Sequence, residues 1–175
     1  MNPPRAPTAS RRSGSWRARL TIQERRAAPR ATTTRTAIDA IDLCRQRIQQ
    51  ESLGHRGRSG DPLYGIRRVA RTRAALLTDR QHDRLAKVFT DPEHVAFGVT
   101  WNVYQDVIDA YQAEQPAEGK KIMTRLIDTL KNGVPAGLAE LRTLGRTLQR
   151  RRDDILAFFD HPGTSNGPSE AINGL

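Results

Sequence analysis

Val95-Ala96-Phe97-Gly98-Val99-Thr100-Trp101-Asn102-Val103-Tyr104-Gln105-Asp106-Val107-Ile108-Asp109-Ala110-Tyr111 is the stretch on which the fold turns. It is rich in valine and aromatic residues, which elsewhere favour strands. Its apolar residues nevertheless recur every three or four positions: Val95, Val99 and Val103 fall on one line, and Trp101, Tyr104, Ile108 and Tyr111 on another. That period belongs to a helix. Asp91-Pro92-Glu93, just before it, supplies a cap and a first-turn proline. Two apolar lines predict burial on more than one side.

Working outward, the same grammar repeats. Thr78 and Gln81 form a capping-box pair ahead of Leu85, Val88 and Phe89. Asp61-Pro62 opens a helix using Leu63, Ile66 and Val69, and Ile38, Ile41, Cys44 and Ile48 make a stripe that runs to Leu53, where Gly54 supplies a stop. Toward the other end, Pro116 starts a helix with Ile122, Met123, Leu126, Ile127 and Leu130 inward, closed by Asn132-Gly133. Pro135 leads into a last long helix carrying Leu138, Leu141, Leu144, Leu148, Ile155 and Phe159, ended by Asp160-His161-Pro162-Gly163. No run shows the period-two alternation of a half-buried strand. The predicted fold is mainly α, a helical bundle-like segment with a thin core, and no repeat of fixed period is present.

The chain has 175 residues, 29 of them Lys or Arg against 19 Asp or Glu, which suits one modest domain with a tail. A charged or amide residue interrupts every apolar run, so a membrane role is excluded. One cysteine, Cys44, and four scattered histidines exclude a disulfide scaffold and a zinc finger, and a reducing cytoplasm is the expected compartment. Eight of the ten net positive charges fall in residues 1–35, where prolines and Arg, Ser, Thr and Ala leave no sustained apolar period. Such a stretch cannot bury enough surface to offset ordering costs of roughly 1–2 kcal/mol per residue and is expected to be disordered. Its composition also fits out-of-frame translation of GC-rich DNA.

Candidate chemistry is sparse. The carboxylate pairs Asp39/Asp42, Asp106/Asp109 and Asp153/Asp154 each lie beside Arg or Gln on a polar helix face, and His55, His82, His94 and His161 have no Glu or Cys at ligand spacing. Ordinary surface or capping roles are the reading for all of them. No nucleophile elbow, Walker loop or dinucleotide fingerprint occurs. Two basic clusters remain. One joins Arg56 and Arg58 to Arg67, Arg68, Arg71 and Arg73; in the other, Arg142, Arg146 and Arg150 share a helix face through their i, i+4 spacing. Arg67, Arg68, Arg71, Arg142, Arg146 and Arg150 are the candidate DNA-binding residues, and such a face can track phosphates. Nearby Glu140, Asp153 and Asp154 offer the alternative of a surface laced with ion pairs.

The polar ending Thr164-Ser165-Asn166-Gly167-Pro168-Ser169-Glu170-Ala171-Ile172-Asn173-Gly174 sets Glu170 and Asn173 on one face of a helical first turn. Together with Gly60-Asp61-Pro62-Leu63-Tyr64-Gly65-Ile66-Arg67-Arg68, Leu77-Thr78-Asp79-Arg80-Gln81 and Leu144-Gly145-Arg146-Thr147-Leu148, it resembles the C-terminal half of bacterial insertion-sequence transposases of the ISL type. The likeness covers roughly Ile38 to Leu175. It implies an Asp-Asp-Glu enzyme with a ribonuclease-H-like domain, in which Glu170 is the third catalytic and metal-binding carboxylate and Asn166 and Asn173 are its motif neighbours. Residues 36–160 would then be the helical insertion, 161–175 the glutamate turn and the start of the catalytic helix, and 1–35 a separate tail. It also implies Mg2+ and terminal-inverted-repeat DNA as the intact family's cofactor and partner.

Two divalent ions roughly 4 Å apart need a cluster of acids to offset their repulsion. The apolar strand bearing the second aspartate is expected just before Ala37, yet the chain reads Arg30-Ala31-Thr32-Thr33-Thr34-Arg35 there. The expectation is a truncated, pseudogene-like transposase, inactive alone and not binding Mg2+. The alternative is a non-catalytic DNA-binding or regulatory module that associates with a full-length relative.

Overall fold

A computed structural model describes residues 22–160, and the motif around Asn166, Glu170 and Asn173 lies outside them, as do residues 1–21. The described residues form helices α1 (Ile22–Leu53), α2 (Pro62–Gly65), α3 (Asp79–Phe89), α4 (Val95–Gln112), α5 (Pro116–Asn132), α6 (Ala139–Arg150) and α7 (Arg152–Ala157), with single 3-10 turns between α2 and α4 and no strand. The mainly α reading holds.

Four helices make the body. α1 packs on α4, α4 on α5, α5 on α6, and α6 back on α1, so the contacts close a ring. Neighbours in that ring run antiparallel. Arg30 at the start of α1 lies over the Tyr111 ring at the end of α4, 5.9 Å from its centroid. Gly119 near the start of α5 meets Ala110, and Gly145 in α6 meets Leu130 at the end of α5. The short connections between α4, α5 and α6 favour this up-and-down arrangement. Phe97, Val107, Met123, Ile127, Leu141, Leu144, Leu148 and Ile155 fill the core together with Ile41 and Cys44 of α1. α7 closes one end against α1 and α5, where Tyr111, Phe158 and Phe159 pack ring on ring. α2 and α3 lie outside the ring, beside α1 and α4 respectively.

Several boundaries differ from the sequence reading. The boundary drawn between residues 35 and 36 falls inside α1, which already runs from Ile22 and carries Pro29 within it. Thr32, Thr33 and Thr34 are poor helix formers, so propensity does not extend the helix. Packing does: Pro29 and Thr33 are buried, and Arg30 covers Tyr111. The helix expected from Pro62 stops after one turn, and Val69 and Ala70 reach the core from a separate 3-10 turn. The last long helix breaks at Arg151 (φ −107°, ψ 17°), which lets α7 turn Ile155 and Phe159 inward. α4 buries one side with partial cover on the other: Phe97, Tyr104, Val107 and Tyr111 are core, while Val95 and Val99 are exposed.

Two of the capping signals form as read, whereas Asp61 makes no side-chain cap to α2 and its carboxylate accepts the Arg58 N–H instead. The Gln81 side chain accepts the Thr78 backbone N–H at 2.9 Å, and Asp91 Oδ1 accepts the Glu93 N–H at 2.9 Å. Gly54 takes φ +73° just past α1, a conformation that favours glycine.

Candidate nucleic-acid interface

Three of the six paired carboxylates are engaged by arginines. Asp39 pairs with Arg35, Asp42 with Arg71, and Asp109 with Arg73. Asp106, beside Asp109 and partly desolvated, has its carboxyl pushed up, first by burial and then by the like charge. Asp153 and Asp154 are exposed in the first turn of α7, where acids complement the helix dipole. His94 is buried with Nδ1 3.1 Å from the Val88 carbonyl oxygen, and His55 lies 3.6 Å from Asp61. Among the described residues, no three His, Cys, Asp or Glu side chains gather where they could hold a metal ion.

The two basic clusters differ in what they are tied to. Arg67 stacks 4.6 Å from the Tyr64 ring centroid and donates to the Tyr64 hydroxyl at 3.1 Å. Arg71 is bound to Asp42, its own carbonyl accepts the Tyr104 hydroxyl at 2.5 Å, and Arg68 is exposed. These contacts fasten the segment after α2 onto α1 and α4. Beneath them, Arg45 is 6% exposed and donates to Gln49 at 2.7 Å; Gln49 reaches Asp61, which caps the loop by accepting the Arg58 N–H. The sequence reading missed this network, since Arg45 and Gln49 look like ordinary polar helix positions.

Arg142, Arg146 and Arg150 stand apart from acids. Glu140, two residues before Arg142, is taken by Arg47 of α1 at 2.7 Å, with Arg47 also donating to the Gly137 carbonyl oxygen at 2.9 Å. That charge-assisted bond draws the Arg47 guanidinium's pKa upward. Arg152, beyond the break, is taken by Asp128 of α5 at 2.5 Å. Among the described residues none of the three forms an ion pair; Arg146 donates only to the Thr143 hydroxyl, at 3.3 Å. They line one side of a groove of about 560 Å³ between α5 and α6, with Lys131, Leu130 and Val134 across it. Four of its eight lining residues are cationic and none is acidic. The groove between α1 and α6 is different, because Asp39, Glu51 and Glu140 line it alongside Arg47 and Arg56. Lys131 was not legible as a site residue, since a lysine in the last turn of a helix is also what the dipole alone favours.

The described residues form a mainly helical bundle with a row of guanidiniums that make no ion pair and with no cluster of metal-ligating side chains. The class of the protein is identified by comparison: the ISL3-type DDE transposase family matches residues 33–175, and the chain belongs to that family. No curated protein and no solved structure matches it. The match takes in α1 from Thr33 onward, the whole ring of helices and the Glu170 motif. No helix among the described residues is long and apolar enough to cross a membrane.

Proposed function

We propose that residues 36–160 are the helical insertion of a ribonuclease-H-like transposase domain, that Glu170 is its third catalytic carboxylate flanked by Asn166 and Asn173, and that the 175-residue chain does not cleave DNA by itself. The observation that carries this reading is the Glu170 motif within the family-matched span, without an aspartate in an apolar strand ahead of Ala37. Mg2+, when bound in the intact family, activates the attacking oxygen and stabilises the leaving one during phosphoryl transfer. The described residues do not supply a site for it. What they supply is a scaffold that holds cationic side chains at fixed spacing.

The second reading, a non-catalytic module that contacts DNA and associates with a full-length relative, is favoured by Arg142, Arg146 and Arg150, which have no acidic partner among the described residues. Arg67, Arg68 and Arg71 would contribute a second, weaker set of phosphate contacts, since Arg67 and Arg71 are already engaged. The two readings separate on a gel-shift salt series, where DNA binding that is lost when Arg142, Arg146 and Arg150 are neutralised supports the second and absence of binding removes it; they share one prediction for Mg2+-dependent cleavage of terminal-repeat DNA by the 175-residue chain. No cleavage is expected; cleavage that disappears with Glu170→Gln would falsify the inactive-chain reading.

A further inference from the structure

We infer that the α5–α6 groove is a seat for a single strand of nucleic acid, with Lys131 opposing the three arginines across it; the inference rests on the DNA-contacting reading above and specifies the form of the ligand. Three observations lead there. First, Arg142, Arg146 and Arg150 are exposed and lie on successive turns of α6, so they rise by roughly 6 Å per step. That is close to the phosphate-to-phosphate step of an extended strand. Second, the row is one wall of a concave groove rather than a convex helix face, and Lys131 at the end of α5 forms the other wall. A strand lying in it has cations on both sides of its backbone.

Third, the groove is lined by apolar side chains as well as charged ones: Leu130 is buried and Val134 half-buried between the cationic walls. A duplex presents phosphates outward and keeps its base faces stacked inside, so it has nothing apolar to place there. An unpaired strand offers both, phosphates to the walls and base faces to Val134 and the guanidinium planes over the buried Leu130. Gly145 matters to this shape. A Cβ there would lie 2.9 Å from Leu130 Cβ, so glycine permits the close α5–α6 approach that brings the two walls together.

The test is fluorescence anisotropy of the full chain with a labelled oligothymidine of roughly 12 nucleotides and a hairpin duplex of matched charge, each over a salt series. The oligothymidine is expected to bind about tenfold tighter than the duplex, with a salt slope that falls by about 0.7 for each cation removed. Lys131→Gln combined with Arg146→Gln should therefore lower it by about 1.4. Both positions are exposed, so the variant should melt as the wild type does. Duplex binding equal to or tighter than single-strand binding overturns the inference while leaving the DNA-contacting reading in place. An unchanged slope in the double variant overturns the groove as the seat. A polyglutamate tracer that binds as tightly, with the same dependence on Lys131 and Arg146, marks a general anion surface and overturns it as well. Absence of binding to either DNA removes both the inference and the reading beneath it.

Discussion

Gly119→Ala probes the packing that holds the ring of helices together. In a solvent-exposed helix this change stabilises by about 1 kcal/mol, because alanine loses less backbone entropy. Here the added methyl meets the Ala110 carbonyl oxygen head-on and comes within 2.8 Å of Phe159 Cε1. Neither neighbour is the loose end of a flexible side chain: one is α4 backbone, and the other is a ring 6% exposed that stacks on Tyr111, with centroids 5.3 Å apart. Relief requires α4 and α5 to move apart or α7 to undock, and overpacking of this kind costs about 1–3 kcal/mol or more. With backbone relief at the upper end, the net loss is about 2 kcal/mol, a fall in Tm of about 4–8 °C for a protein of this size. Thermal melting by far-ultraviolet circular dichroism reads it directly. An unchanged or raised Tm would mean that α4 and α5 do not approach as closely as described, and the ring closure argued from Gly119 and Gly145 would go with it.

Other consequences follow from single contacts. Arg47→Met leaves the Glu140 carboxylate, whose side chain is 9% exposed, without its partner and should cost about 3 kcal/mol; Arg47→Met with Glu140→Leu should recover most of that in denaturant unfolding. If the single and double variants unfold alike, the pair does not anchor the start of α6. Gln105→Leu strands the Ala74 N–H and the Thr72 carbonyl, which the amide now satisfies at 2.8 and 3.2 Å, and a loss of about 1–3 kcal/mol is expected. A neutral result would show that water replaces the amide.

Burial pushes the Tyr104 hydroxyl up to about 12, despite the neighbouring Arg71 charge. Its folded value lies above the unfolded one, near 10, so its contribution to stability is complete below about pH 10 and is lost as the pH rises through 12, by up to about 2–3 kcal/mol. Tyr104→Phe should remove the highest step in the tyrosinate absorbance titration and flatten the stability loss in that window. A wild-type titration with all tyrosines near 10 contradicts this burial.

The parts of the fold written in local grammar were readable. Thr78 with Gln81, Asp91-Pro92 and Gly54 each act within one turn of their own position, so their chemistry needs no tertiary context. The stripe positions Ile41, Cys44, Leu85, Met123, Leu144 and Ile155 are all buried, because a 3.6-residue period points them to one side wherever that side ends up. The failures have a common cause. The helical course of residues 30–35 depends on the ring of Tyr111, far away in sequence, and the exposure of Val95 and Val99 depends on which neighbours α4 receives. At Arg151 a stripe of correct period hid a break, since Leu148 and Ile155 lie seven residues apart and remain in phase across it.

For the candidate interface, the i, i+4 row of arginines was visible, but two arrangements were open while Glu140, Asp153 and Asp154 stood nearby. The ion-paired arrangement is removed by long-range pairs: Arg47 of α1 takes Glu140, and Asp128 of α5 engages Arg152 rather than a member of the row. Sequence spacing records neither. The Glu170 motif lies outside the described residues, and its reading rests on likeness to the family that matches residues 33–175.

On the function proposed above, this chain carries one member of a two-metal carboxylate centre and not the centre itself. Isothermal titration of the full 175-residue chain with Mn2+ at near-neutral pH tests that most directly. The expected result is weak, non-stoichiometric heat that is the same for wild type and Glu170→Gln. Two equivalents bound at micromolar affinity in the wild type, reduced on Glu170→Gln, would contradict it.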